Sequence, residues 1–316
     1  MGNVQTAARK GTTIWSLVAA AALLALVQFA SLPAQPKILS VLNNFAHGPV
    51  FGALAIVLLG WLRPRFIPSP WSAYAGAFVL AVAAGGALEV LQIFTRRDAS
   101  LTDVITNALG AGCGLTLAAA FDRGFRPARS GARRRLLLLA AGLQLFVMLA
   151  PVGHALLAYT SRMERFPTIM QFTSVLDMYF IDLRDCEKAS DEAGEPALRV
   201  RCHGNDWPGI SNIEPSPDWR QFERLRIDVT NPGAGGLTLG LRIHEMGKDQ
   251  EYDDRYNGEF FIGAGARRVF DVKLEDIASS PANRRLDLSR IGGLVLFRVS
   301  PGPQAAEFIL TRVWLE

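Results

Sequence analysis

Residues 89–114 read EVLQIFTRRDASLTDVITNALGAGCG, and their flanks decide what they mean. One apolar run, 72–94, ends inside this stretch, and another, 101–121, begins inside it. Glu89, Gln92, Arg96, Arg97, Asp98, Asp103 and Asn107 therefore stand at the edge of segments long enough to cross a bilayer. Ionisable groups are costly there, so they mark a functional site until another reason is found. The stretch reads as the connection between two membrane helices, with its polar groups gathered at one membrane face.

Working outward, three more apolar runs appear at 13–32, 43–62 and 136–159. A helix needs roughly 20 apolar residues to cross the hydrocarbon core, and five transmembrane helices are expected. The second run, from His47, is short unless its helix begins earlier, near Val41, and Pro49 close to the start is compatible with a first-turn proline. Arg9 and Lys10 precede the first run in the manner of a signal peptide, but its apolar core exceeds the usual ~7–15 residues. It reads as an uncleaved anchor.

Charge divides the chain. Residues 1–160 carry four acids against 13 Lys and Arg, a net of +9, whereas 161–316 carry 25 acids and 20 bases, a net of −5. The basic residues lie between apolar runs, which argues against a nucleic-acid surface. The loop after the fourth run holds Arg123, Arg126, Arg129, Arg133, Arg134 and Arg135, and the loop after the second holds Arg63 and Arg65. By the positive-inside rule these loops and the N-terminus are cytoplasmic, so five crossings leave 161–316 outside. The expected place is a bacterial inner (cytoplasmic) membrane, with the C-terminal domain periplasmic.

That topology puts His47, Glu89, Gln92, Arg96, Arg97, Asp103 and Asn107 on one face. Glu89 and Gln92 are spaced i,i+3, and Asp103 and Asn107 i,i+4, so each pair shares a helix side. Gly110 and Gly114 extend the second side with a spacing that permits close helix approach. Architecture competes with function here: Ser100 to Asp103 reads as a capping box, and the arginines can snorkel to headgroups. Glu89 is the hardest to explain away.

These residues carry a resemblance. A histidine opening one span, Glu-x-x-Gln closing the next, then Arg, Ser, Asp, Asn and Gly through 96–114 resembles the VanZ-like family over about residues 40–120. Asn43 and Asn44 stand where many members have an Asp-Lys pair. The resemblance implies a membrane protein of the cell envelope, in a family named for teicoplanin resistance, and implies no reaction.

From about Phe166 the period changes. Runs at 224–229, 237–243, 267–274, 294–299 and 308–315 alternate or are short, with Asn231-Pro232-Gly233, Gly235-Gly236 and Pro301-Gly302-Pro303 between them. Such spacing predicts an antiparallel β-sandwich over 161–316, with 277–291 as loop and a short helical turn. Leu225, Ile227 and Val229 alternate with Arg226 and Asp228, so one face is buried. Cys186 and Cys202 fall in the exported half and are expected to pair, while Cys113 lies in a span as a small apolar residue. Asp218-Trp219, Asn231-Pro232, Leu239 to Ile243, Asp254 to Tyr256 and the closing strand resemble jelly-roll, galactose-binding-like carbohydrate-binding modules. Thr311 replaces an aspartate common in similar modules, which removes the argument for a calcium site.

Candidate ligand contacts in this half are Trp207, His244, Asp253, Asp254 and Arg255, because sugar rings stack on aromatic faces and their hydroxyls need partners. Glu245 stands beside them, and Trp219, just before a buried strand, reads as core. No Gly-rich phosphate loop, HExxH, paired CxxC or GxSxG occurs. Histidines at 47, 154, 203 and 244 are scattered. No catalytic motif, cofactor or metal site is therefore expected. The expected partners are the lipid bilayer and an envelope glycan or lipid-linked saccharide. The rival reading is an outer-leaflet enzyme acting on a lipid-linked or anionic substrate through Glu89 or Asp103 and Arg96 or Arg97. Transport is the weakest reading, since five spans show no internal repeat.

Overall fold

The structure is a computed structural model that describes residues 15, 18–25, 33, 35–63, 70–94, 101–122, 124, 131–188, 196–203, 207–216, 218–247, 251–299 and 306–316. The chain divides into two compact units, Met1–Gly153 and His154–Glu316.

Among the described residues, four helices are long and apolar enough to cross a membrane. They are α1 (Lys37–Leu62), α2 (Pro70–Phe94), α3 (Leu101–Phe121) and α4 (Gly131–Arg165). The expected fifth span, 13–32, lies mostly outside the described residues, of which 15 and 18–25 are helical. Five spans thus become four that can be stated.

Two expectations change. Helix α1 starts directly after Pro36, whose extended backbone blocks an earlier turn, so Pro49 is well inside the helix. Its missing N–H leaves the Phe45 carbonyl without a ladder donor. Helix α4 begins before Leu136 and runs past Tyr159 to 35 residues, longer than the hydrocarbon core requires. Its first turn is usable because arginines there find aromatic faces: Arg133 lies 5.6 Å from the Trp71 ring centroid and Arg134 4.7 Å from that of Phe121.

Glycine sets the helix packing. A Cβ on Gly110 would fall on the Gly48 carbonyl, and one on Gly114 would fall on the Gly52 backbone. Gly48 and Gly52 therefore meet Gly110 and Gly114 in the same order, so α1 and α3 run parallel at close range with α2 antiparallel between their connections. At the end where α1 and α3 finish, Asp122 accepts from Arg63 Nη2 at 2.7 Å, Tyr74 Oη at 3.1 Å and the Gly124 N–H at 2.8 Å. One buried carboxylate thereby fastens three helices.

The second unit opens with the last turns of α4. Tyr159 donates to the Glu214 carboxylate at 2.7 Å, Arg162 lies 3.6 Å from it, and Arg165 pairs with Asp177. Among the described residues, eleven strands follow: β1 (Thr168–Met170), β2 (Ile181–Arg184), β3 (Cys186–Lys188), β4 (Leu198–Cys202), β5 (Gly209–Asn212), β6 (Arg224–Thr230), β7 (Leu237–Glu245), β8 (Tyr256–Ile262), β9 (Arg267–Lys273), β10 (Ile291–Arg298) and β11 (Ala306–Leu315). A short helix, α5 (Leu274–Ala278), follows β9. One sheet runs β3-β4-β11-β6-β9 with β1 also beside β11, and the other runs β2-β5-β10-β7-β8. Each of these pairings is antiparallel.

The core between the sheets takes the alternate residues of both. Leu225, Ile227 and Val229 of β6 face Leu239, Leu241 and Ile243 of β7 within one buried cluster that also contains Trp219, fully buried at 0 %. Asp228 points away from this core and is covered by Arg267 at 2.8 Å. Cys186 and Cys202 stand opposite each other on β3 and β4 and form a disulfide.

Candidate functional site

Two clusters of polar side chains stand out, one in each unit. In the helical unit the glycine contact draws α1 onto α3, so the residues beside the glycines are carried inward. His47 precedes Gly48, and Asn107 lies one turn before Gly110 and Ala111. Helix α2 closes the group because Gly85 leaves room: a Cβ there would stand 3.0 Å from Asn107 Nδ2. Glu89 sits one turn above Gly85 on the same side.

The result brings together residues 42 and 14 positions apart in the chain. His47, Glu89 and Asp103 each offer one ligand atom, and these atoms lie within 4.8 Å of one another. His47 is 5 % exposed, Glu89 6 % and Asn107 1 %. His47 Nδ1, Asp103 Oδ1 and Asn107 Oδ1 are buried and hydrogen-bond to no described residue. Helix α1 corrects one expectation: His47 does not open its span but lies about three turns in. The Gln92 side chain, Arg96, Arg97, Asp98 and Ser100 lie outside the described residues.

Residues 4–122 match the VanZ/LLP1 family model. The matched VanZ/LLP1 region contains His47, Glu89, Asp103 and Asn107 together with the Gly48–Gly110 and Gly52–Gly114 contacts. It ends at the Asp122 carboxylate that fastens the other end of the bundle. No curated protein matches the chain.

In the sandwich unit, the second cluster occupies the outer face of the β2-β5-β10-β7-β8 sheet. Inward residues of β7 are leucines and Ile243, so Thr238, Gly240, Arg242 and His244 face outward. Strand register sets their neighbours: Phe297 lies between Gly209 and Gly240, Val295 between Ser211 and Arg242, and Gly293 beside His244. A Cβ on Gly240 would collide with the Phe297 ring, and one on Gly293 with the His244 ring. Both rings therefore lie across a neighbouring strand instead of standing off the sheet.

Trp207, 53 % exposed, meets Phe297 edge-on at 5.6 Å between centroids. It holds a left-handed backbone, φ 51°, a conformation that costs a non-glycine residue about 1 kcal/mol. Beyond Phe297, the partly buried Arg242 has its guanidinium pKa lowered, first by burial and then by the charges of Arg255 and Arg184. Arg242 Nε donates to no described residue. His244 is held neutral with its pKa pushed down to about 4, by burial first and then by Arg242 and Arg255.

The remaining sequence candidates spread around this face. Arg255 donates to Asn257 Oδ1 at 3.0 Å and covers the Tyr252 ring. Asp254 and Glu245 both pair with Arg284, the latter at 2.7 Å, so they hold a loop in place. Asp253 is exposed in the turn Tyr252–Asp254. Phe297, Arg242 and Arg184 escaped the sequence reading. Gly240 was the available signal, since a glycine in a strand interior marks a place where something else lies on the backbone.

Solved structures resembling the sandwich include an exo-beta-agarase at 16% identity, covering 47% of this chain and 24% of that one, with a TM-score of 0.37. Another is a family 11 carbohydrate-binding module from Clostridium thermocellum in complex with a beta-1,3-1,4-mixed-linked tetrasaccharide, at 12% identity, 47% and 93% coverage and a TM-score of 0.36. A point mutant of a family 29 carbohydrate-binding module matches at 15% identity, 47% and 83% coverage and a TM-score of 0.31. The chain spans about a quarter of the agarase.

Proposed function

We propose that this membrane protein presents its sandwich outside the cytoplasm, as a cell-envelope protein that binds glycan on the outer face of the β2-β5-β10-β7-β8 sheet. One observation carries the reading: Trp207 meets Phe297 edge-on, and the Phe297 ring lies over the sheet in the space left by Gly240. An aromatic pair of that kind stacks against the C–H face of a sugar ring. Arg184, Arg242 and Asn257 supply hydrogen-bond donors at its margin. Arg242, crowded by two other arginines, favours a sugar that carries a carboxylate or ester anion. Arginine-rich loops at the Arg63 and Arg123–Arg135 ends support export of the sandwich, and the Cys186–Cys202 disulfide suits an oxidising compartment.

The test is a binding series with the full-length protein in lipid nanodiscs, against neutral and acidic oligosaccharides. Saturable binding to acidic oligosaccharides, weakened about tenfold by Trp207→Ala or Phe297→Ala, is expected. Absence of binding across the series, or equal binding by both variants, would sink the reading. A preference for neutral glycans would remove the role given to Arg242 alone.

A further inference from the structure

The unit that matches VanZ/LLP1 holds a donor set that the glycan reading does not use. His47, Glu89 and Asp103 come from three different helices, yet one ligand atom from each lies within 4.8 Å of the others. Ligands around a cation stand about 3.4 Å apart in a tetrahedral site, and about 4 Å when on opposite sides, where each bond is near 2.1 Å. The observed spread thus needs only small rotamer changes to close on an ion. His47 and Asn107 are more than nine-tenths buried, and His47 Nδ1 and Asn107 Oδ1, with Asp103 Oδ1, hydrogen-bond to no described residue. Buried polar atoms left this way cost free energy unless something supplies the missing partner.

We propose that His47, Glu89 and Asp103 bind one divalent transition-metal cation inside the helical bundle, with Asn107 as the fourth donor one turn along α3. A dication balances two carboxylates in a medium where each would otherwise be costly, and it uses the imidazole and carboxamide lone pairs at the same time. The donor set selects the metal. One imidazole nitrogen with carboxylate oxygens suits zinc or manganese, whereas magnesium and calcium prefer oxygen alone. Zinc binds more tightly than manganese on such ligands. The Gly48–Gly110 contact holds α1 and α3 in register, so the site is built before the ion arrives.

The experiment uses the full-length protein, without a polyhistidine tag, purified in detergent and stripped with a chelator. Reloading with zinc followed by dialysis should leave one ion per chain and raise the thermal midpoint. Manganese should give a bound electron paramagnetic resonance spectrum with nitrogen coupling, displaced by zinc and not by magnesium. His47→Gln and Asp103→Asn should each weaken zinc binding by at least about 100-fold, and His47→Gln should remove the nitrogen coupling. Retained helical circular dichroism and a monodisperse elution profile separate lost binding from lost fold. Substoichiometric zinc with no shift in midpoint would overturn the proposal for the wild-type chain, whatever the variants do. So would full zinc content in a variant that combines His47→Gln with Asp103→Asn.

Discussion

The Phe297 ring lies across Gly240 of the neighbouring strand, in the space a Cβ there would take. Replacing Gly240 with Ala forces the ring to lift, and the ring edge can swing toward solvent at modest cost. Stability should fall by less than about 2 kcal/mol, while glycan affinity falls about tenfold because the platform is gone. Calorimetric titration beside chemical denaturation checks both halves. Unchanged affinity would show that Phe297 takes no part in binding.

His244 predicts a pH dependence with a definite sign. The unfolded chain takes up a proton on this side chain near pH 6.5, but the folded chain does so only near 4. Between those values the unfolded state binds more protons, so stability is complete above about pH 6.5 and declines as pH falls toward 4. The loss is at most about 1.4 kcal/mol per pH unit, on the order of 3 kcal/mol in all. Hydrogen exchange at the β7 amides of the full-length protein, followed over this range, should show protection falling with pH. His244→Gln should flatten that slope; an identical slope in the variant would assign it to other groups.

The β-sandwich was legible where burial is one-sided and failed where strands are short. Leu225, Ile227 and Val229 alternate with polar residues, and the 224–229 run is β6 almost to the residue. By contrast β1 and β3 have three residues each and β2 and β5 four, too few for a period to register. They are strands because longer neighbours offer them a ladder. The helical cluster divides in the same way. Glu89 and Asp103 could be read from solvent mismatch, and Gly110 and Gly114 from spacing. Their partners Gly48 and Gly52 could not, because the proline between them drew the helix start to the wrong place. The four scattered histidines gave no metal-ligand spacing, whereas the proposed donor set uses only His47 among them.

The Cys186–Cys202 disulfide ties β3 to β4 across a separation of 16 residues. Closing a loop of that size in the unfolded chain is worth about 3 kcal/mol in the chain-entropy estimate. Replacing both cysteines with serine should lower the stability of the sandwich by that amount, and a reductant should do the same to the native protein. Thiol labelling should report the buried Cys113 only on unfolding. A native protein indifferent to reductant would remove the stabilising role.

Asp122 is buried and accepts from Arg63, Tyr74 and the Gly124 N–H, whereas Arg63 is itself about half exposed. Losing the carboxylate should therefore cost more than losing the arginine. Asp122→Ala leaves a buried hydroxyl and an amide without their acceptor, a loss of about 2–4 kcal/mol. Tyr74→Phe removes one hydrogen bond and should cost about 1 kcal/mol. Denaturation of the full-length protein in mixed micelles orders the two. Equal effects would mean that the three helix ends are held by packing instead.

Gly110 offers the sharpest test of the bundle, because the atom in the way is backbone. A Cβ there meets the Gly48 carbonyl, which cannot rotate aside as a side chain can, so α1 and α3 must separate. Gly110→Ala should destabilise the helical unit by about 1–3 kcal/mol and pull His47 away from Asp103. Gly60 and Gly142 have open space at the same position, and alanine at either should be neutral or slightly stabilising through helix propensity. Chemical denaturation of the full-length protein in mixed micelles should then rank Gly110→Ala clearly below the wild type and Gly60→Ala level with it. If Gly110→Ala is as stable as Gly60→Ala, close approach of α1 and α3 does not position the cluster, and its geometry must come from α2.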